Sequence, residues 1–242
     1  MIILSSFWLN STKTLTDFNK IDNNYECDIC IIGAGITGLT CGYYLSKLGF
    51  KVILIDKGFI GQSISSNTTG KITYQHNLIY DYLIRTYGEK FAKAYLNANK
   101  EAILNIKKII DNENIDCDFE FLSNYIYTTN QNDLPKLHAE INALDFLGES
   151  PKFLTNSPLP FKIAGAIETP NQAQFNPLKY MNGLAKSILK NDSLIFQNST
   201  VSDFKKVENN YIAYSNGFEI KSSKLIVTTH YPFKKFSRIL FF

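Results

Sequence analysis

Three glycines, Gly33, Gly35 and Gly38, and one acid, Asp56, carry the most specific chemistry in this chain. They lie in Cys27–Lys57, CDICIIGAGITGLTCGYYLSKLGFKVILIDK. The spacing G-x-G-x-x-G, with an acid at the end of the following strand, suits the pyrophosphate and ribose of a dinucleotide. Gly33 permits a tight turn. Gly35 has no side chain, so backbone can approach a pyrophosphate. Gly38 lets a helix press against a strand. Asp56 can accept both hydroxyls of an adenosine ribose, and its charge disfavours a 2′-phosphate.

The surrounding residues predict the elements such a site needs. Ile29–Ile32 is a near-continuous apolar run, as in a strand buried on both faces. A helix follows, its free N–H groups and dipole aimed at the phosphates. Its inner face carries Leu39, Gly42, Tyr43, Leu45 and Leu48, and Gly49 ends it. Val52–Ile55 forms the second buried strand. A plain strand–turn–helix with incidental glycines would not meet all of these conditions together.

Composition narrows the remaining choices. At 242 residues, with 45% hydrophobic and 19% charged residues, the chain fits a globular protein of one or two domains. A net charge of +3 with no basic block argues against a nucleic-acid partner or an anionic membrane surface. No apolar run approaches the roughly 18 residues of a membrane span. MIILSSFWLN has neither a basic n-region nor a cleavage site, so a cytoplasmic location is expected. Four cysteines are present. Cys27 and Cys30 form a CxxC, but alternation on a strand sends them to opposite faces. No second CxxC or HxxH completes a metal site, so they read as core residues.

Beyond Asp56 a Ser/Thr/Asn-rich loop runs from Gly58 to His76. Such a loop suits a flavin-binding domain, where hydroxyls and N–H groups cover phosphates and ring. Residues 78–114 read as helix, with a stripe of Phe91, Tyr95, Ala98, Ala102, Ile106 and Ile109. Phe119–Thr129 reads as strands, Asp133–Leu147 as helix, residues 149–162 as a connector and Ile163–Glu168 as a strand. Asn176 and Pro177 start another helix, as N-cap and N1. Strand patterns then run from Leu194, through a Ser215–Asn216–Gly217 turn, to a buried strand at Leu225–Val227. The fold class predicted is α/β, with a Rossmann-like cofactor sheet assembled from separated segments.

Four stretches carry a family resemblance: IIGAGITGLT (31–40), NTTGKITYQHNLIYD (67–81), NQAQFNPLKY (171–180) and IVTTHYPF (226–233). The chain resembles the N-terminal part of the FAD-dependent oxidoreductases of the D-amino-acid oxidase and glycine oxidase superfamily. The likeness is to a bacterial branch often fused to a C-terminal Rieske [2Fe–2S] domain. The resemblance implies an FAD-binding domain of glutathione-reductase type at 27–78 and 160–232. An α+β substrate domain is then inserted at 79–159, after a lead-in at 1–26 in which Phe7 and Trp8 dock onto the body. It implies FAD as cofactor and an amine or amino-acid substrate whose C–N bond, or a related C–O bond, is oxidised by hydride transfer to the flavin.

Carried over by position, Gly33, Gly35 and Gly38 would hold the pyrophosphate and Asp56 the ribose, with Ala34, Ile36, Thr37 and Lys57 also at the cofactor. Ser63, Thr68, Thr69 and Lys71 would lie along the flavin, and the backbone of Val201 would meet adenine. Lys71 could stabilise an anionic reduced flavin or be a solvated loop lysine. His76 could face the substrate or be a hydrogen-bonded core histidine. His138 and His230 receive no catalytic role. Family members continue past the HYPF stretch, so the resemblance also implies a truncated chain with a tail at 233–242. On that reading an iron–sulfur electron partner is missing from it. The alternative is a dinucleotide-binding fragment, or one part of a split protein, without turnover.

Overall fold

The structure is a computed structural model that describes residues 6–13, 18–62, 64–156 and 160–230. Ser63, parts of the lead-in and the expected tail at 233–242 lie outside the described residues. In chain order the elements are α1 (Phe7–Ser11), β1 (Tyr25–Ile32), α2 (Ile36–Lys47), β2 (Val52–Ile55), β3 (Lys71–Ile72), α3 (Tyr80–Tyr87), α4 (Glu89–Glu113) and β4 (Glu120–Thr128). There follow α5 (Leu134–Phe146), β5 (Lys152–Leu154), β6 (Gly165–Gln174), α6 (Pro177–Leu189), β7 (Leu194–Phe196), β8 (Val201–Val207), β9 (Asn210–Ser215) and β10 (Phe218–Val227). They form two compact units, one of them Gly70–Phe175 and the other made of the residues on either side.

The flanking segments build a six-stranded sheet in the order β7-β2-β1-β10-β9-β8. Its first four strands run parallel, and the β8–β9–β10 meander is antiparallel. All of Val52–Ile55 is buried, as a parallel strand covered on both faces requires. Helices α2 and α6 pack together over β2, and Gly42 makes this possible. A Cβ there would meet Leu54 Cδ1 at 2.9 Å and Ile188 Cδ1 at 3.2 Å. The two strand segments expected around residues 218 and 225 are a single strand, β10. Its first half pairs with β9 and most of its length lies along β1. Exposed Lys221 and Lys224 interrupt the apolar pattern there, which hid the continuity.

Cys27 and Cys30 do not separate to opposite sides of the sheet. Both join one buried cluster with Ile32, Ile53, Phe196 and Ile220. Between the two thiols, the N–H groups of Asp28 and Ile29 both reach the Lys51 carbonyl, at 3.0 and 3.3 Å. Burial pushes the Cys27 thiol up to about 12 and Cys30 higher still, as expected of inert core cysteines. Among the described residues no cluster of His, Cys, Asp and Glu could hold a metal ion. No helix there is long and apolar enough to cross a membrane.

The Gly70–Phe175 unit is organised by β6, which pairs antiparallel with β4 on one edge and with β3 and β5 on the other. Its limits lie outside the 79–159 expected from sequence. The reason is that β3 and β6 hydrogen-bond into this sheet rather than the parallel one. The long helical stretch is broken at Gly88, whose φ of +82° ends α3 and begins α4. The buried face of α4 is Ala92, Leu96, Ile103, Ile109 and Ile110. The expected stripe ran one position off this face, and Phe91, Ala98 and Ala102 are exposed.

Glu140 of α5 is fully buried. Its Oε1 accepts from Gln75 Nε2 (2.7 Å), Ile79 N (2.9 Å) and Tyr80 N (3.0 Å), and its Oε2 from Asp81 N (3.1 Å). The carboxylate therefore caps the N-terminus of α3, where N–H groups lack helical partners and the dipole favours an anion. Glu140→Ala would strand these donors in a buried space. The expected cost is about 3 kcal/mol, read as a lowered urea midpoint with an unchanged m-value. A variant within about 0.5 kcal/mol of wild type would show that the cap contributes little.

Candidate functional site

The glycine turn connects β1 to α2 and is fixed by contacts too close for any side chain. Gly33 has φ +105°, and a Cβ on it would lie 2.8 Å from the Thr228 carbonyl oxygen. A Cβ on Gly38 would lie 1.9 Å from the Gly33 carbonyl oxygen. Thr228 closes the turn from the end of β10, its hydroxyl 3.0 Å from the Ile32 carbonyl oxygen and 2.8 Å from that of Gly33. Gly35 differs from the other two. Among the described residues, a Cβ there would meet within 4 Å Ser65 Oγ alone, at 3.2 Å. As the N-cap of α2 it also supplies no side-chain cap.

Asp56 stands beside this turn at the end of β2. Its Oδ2 accepts from Ala34 N (2.7 Å) and its Oδ1 from Gly58 N (2.9 Å). Gly61 N–H donates to the Ala34 carbonyl at 3.1 Å, drawing the following loop back to the turn. The chain then makes a 3-10 turn, Ile64–Asn67, which brings Ser65 Oγ within 3.1 Å of Ile36 N–H. On the other side, Ser199 N–H donates to the Asp56 carbonyl (2.8 Å) and Asn198 N–H to that of Gly58 (3.0 Å). This laces the turn that leads into Val201 to the Asp56 end of the sheet. Val201 itself begins β8, with its side chain in the buried cluster.

The structure thus gathers Gly33, Ala34, Gly35, Ile36, Gly38 and Asp56 at the head of α2. Thr37 lies exposed in the first turn of that helix, and Lys57 is exposed beside Asp56. Thr68 and Thr69 are exposed in the loop that follows, and the Thr68 carbonyl accepts the Trp8 indole N–H at 2.7 Å. Lys71 and His76 belong to the other unit. Lys71 Nζ donates to Asn124 Oδ1 at 3.2 Å, and His76 Nδ1 lies 2.9 Å from the Tyr95 hydroxyl. Partial burial and, secondarily, the Lys71 charge hold the His76 imidazole below its usual value. His138 lies on the exposed side of α5 with its ring 4.5 Å from that of Phe153, and His230 follows β10 with φ +63°.

Ser65, Thr228 and Asn124 were not singled out from sequence, and Tyr95 was only part of a core-packing stripe. Ser65 sits in SISSN, where only knowledge of the 3-10 turn distinguishes it from Ser63. Thr228 lies within the IVTTHYPF stretch, which flagged the segment but not the side chain.

Residues 28–232 match the family described as FAD dependent oxidoreductase (DAO). The chain belongs to this family. It is 37% identical over 228 residues to the putative Rieske 2Fe-2S iron-sulfur protein YhfW of Bacillus subtilis (strain 168), covering 94% of this chain and 45% of that protein. It is 27% identical over 115 residues to the gamma-glutamylputrescine oxidoreductase of Escherichia coli (strain K12), covering 48% of this chain and 27% of that protein. Glycine oxidase from Geobacillus kaustophilus superposes with a TM-score of 0.71 at 18% identity, covering 84% of this chain and 55% of the other. For L-proline dehydrogenase from P. horikoshii the TM-score is 0.70 at 19% identity, covering 85% and 53%. These two likenesses show a shared mixed α/β fold. The chain spans about half the length of the relatives that it matches along most of its own length.

Two outcomes test this geometry. Gly38→Ala places a methyl group inside the Gly33 carbonyl, and since backbone must move to admit it, a loss of about 3 kcal/mol or more is expected. The check is calorimetry, and wild-type stability would refute the contact. For His76, the folded chain takes up its proton at lower pH than the unfolded chain does. The group therefore withdraws stability as pH falls below about 6.5 and contributes nothing to the pH dependence well above that. Its imidazole resonances are expected to titrate below about 6.5 and to shift upward in Lys71→Met. A Lys71→Met midpoint equal to wild type would exclude the lysine as a cause.

Proposed function

We propose that this chain binds FAD at the head of α2 and serves an oxidoreductase that acts on an amine or amino acid. The observation that carries the reading is the cradle itself. Gly33 and Gly38 close the turn, Gly35 leaves its backbone open in front of the helix, and the Asp56 carboxylate stands alongside. A diphosphate fits this cradle: a side chain at residue 35 would fill the space in front of the N-terminus of α2, and Gly35 brings no cap of its own, so that only the neutral Ser65 hydroxyl is seen to accept there, from Ile36 N–H, among the described residues. Gly33, Ala34, Gly35, Ile36, Thr37 and Gly38 would hold the pyrophosphate. Asp56 and Lys57 would take the ribose, and the backbone at Val201 the adenine. Ser63, Thr68, Thr69 and Lys71 would run along the flavin, with the Ser65 hydroxyl added at the helix head.

The chemistry that FAD supplies is acceptance of a hydride from a C–H bond beside nitrogen or oxygen. The chain's own part is to bind and orient the cofactor. The substrate class rests on the names of the relatives, which include gamma-glutamylputrescine oxidoreductase and glycine oxidase. An iron–sulfur electron acceptor rests on the name of the Bacillus subtilis relative. A cytoplasmic location is part of the reading, consistent with four free cysteines. A second reading is dinucleotide binding without turnover, which the glycine cradle and Asp56 would support equally well.

The test is to purify the 242-residue chain, record its visible spectrum and titrate the apoprotein with FAD and with NAD. Near-stoichiometric FAD with weak NAD binding is the expected result. Asp56→Ala should weaken FAD by about 10- to 100-fold, the range for a lost charge-assisted hydrogen bond. Anaerobic bleaching of the flavin band by an amine or amino acid would support turnover. A flavin that no such compound reduces would favour the second reading, and a chain that binds neither FAD nor NAD would sink both.

A further inference from the structure

The lead-in, left without a function above, makes direct contact with the loop assigned to the flavin side. Trp8 Nε1 donates to the Thr68 carbonyl at 2.7 Å, and the Ser6 hydroxyl donates to the Ser66 carbonyl. Both acceptors are backbone groups in or just after the 3-10 turn that presents Ser65 to Ile36 N–H. No strand ladder holds this turn, so its placement relies on such individual contacts. At the other end of α1, Thr12 Oγ1 accepts from Asn176 Nδ2 at 2.8 Å, and Asn176 Oδ1 caps α6 through Leu178 N and Lys179 N at 3.1 Å each. The Lys13 carbonyl accepts from Asn182 Nδ2 at 3.2 Å. A short helix with no buried residues of its own is thus anchored on α6 and reaches the loop. Ser6, Phe7 and Trp8 also line, with Asn67, Thr68 and Thr69, one cavity of about 410 Å³.

We infer that Trp8 is a positioning residue for the cofactor site: its indole N–H, by holding the Thr68 carbonyl, fixes the Ile64–Thr69 loop at the head of α2. Phe7 supports it edge-on, with ring centroids 5.1 Å apart at 78°. The inference rests on the reading that the chain binds FAD, and it adds a tether that none of the motif stretches contains.

Trp8→Phe keeps an aromatic ring beside Phe7 but removes the donor. Hydrogen exchange on the apoprotein reads the loop without any cofactor. Amides of residues 64–69 are expected to exchange about five- to tenfold faster in the variant, the scale of one net hydrogen bond. FAD titrations should then show a dissociation constant raised by a similar factor. Ser6→Ala, which removes the second donor, serves if Trp8→Phe fails to fold. Unchanged exchange at 64–69 in a folded variant would overturn the tether. Faster exchange with unchanged FAD affinity would overturn its role in the cofactor site. A wild-type chain that binds no FAD would remove the reading on which the inference rests, and the exchange data would still show whether the tether exists.

Discussion

The approach of the Gly33 carbonyl to the Cα of residue 38 is the contact on which the cofactor unit depends. At 1.9 Å from where a Cβ would stand, it forces α2 to start against β1 with no side chain between them. Everything that makes the site chemical follows from that closeness. The helix axis ends beside the strand ends, so its N-terminal dipole is aimed at the space where Asp56 also projects. Thr228 then fits against both glycines, tying the last strand of the sheet to the first turn. A side chain at either glycine would separate helix from strand and blunt the field that the arrangement concentrates.

Asp56 illustrates how one carboxylate can fix local geometry and still be offered, on the proposed reading, to a ligand. Its two oxygens accept from the backbone on either side of it, Ala34 before and Gly58 after. These bonds set the rotamer and leave further lone-pair sites for hydroxyl donors. The site is therefore shaped before any ligand arrives, which lowers the ordering cost of binding.

Much of this unit could be read in the sequence because its signals are local. The runs Ile29–Ile32 and Val52–Ile55, the glycine spacing and the N-cap Asn176 each report within a few residues, and the structure shows the elements they predict. What was hidden is nonlocal. Glu140 looks like an ordinary helix acid, although it falls at a core-facing position between Leu137 and Leu144. Its partners at 75 and 79–81 are visible only in the fold. The unit boundary at Gly70 and Phe175 depends on which sheet β3 and β6 join, a choice that strand propensity cannot make. The α4 stripe was displaced because Phe91, Tyr95 and Ala102 share the helical period of the buried Ala92, Leu96 and Ile103, and spacing alone does not say which of two adjacent rows faces the unit.

Strand β10 has a consequence for how the protein comes into being. It occupies the interior of the parallel sheet, between β1 and β9, so that Cys30 lies opposite Leu225. During synthesis β1, α2 and β2 emerge early, but the inner edge of β1 stays open until the ribosome has added β9 and β10. In that interval the apolar backbone edge at Ile29–Ile32 is available to other chains. The pairing that completes the sheet is also among the most distant in sequence, so closure of the cofactor unit is a late and slow folding step.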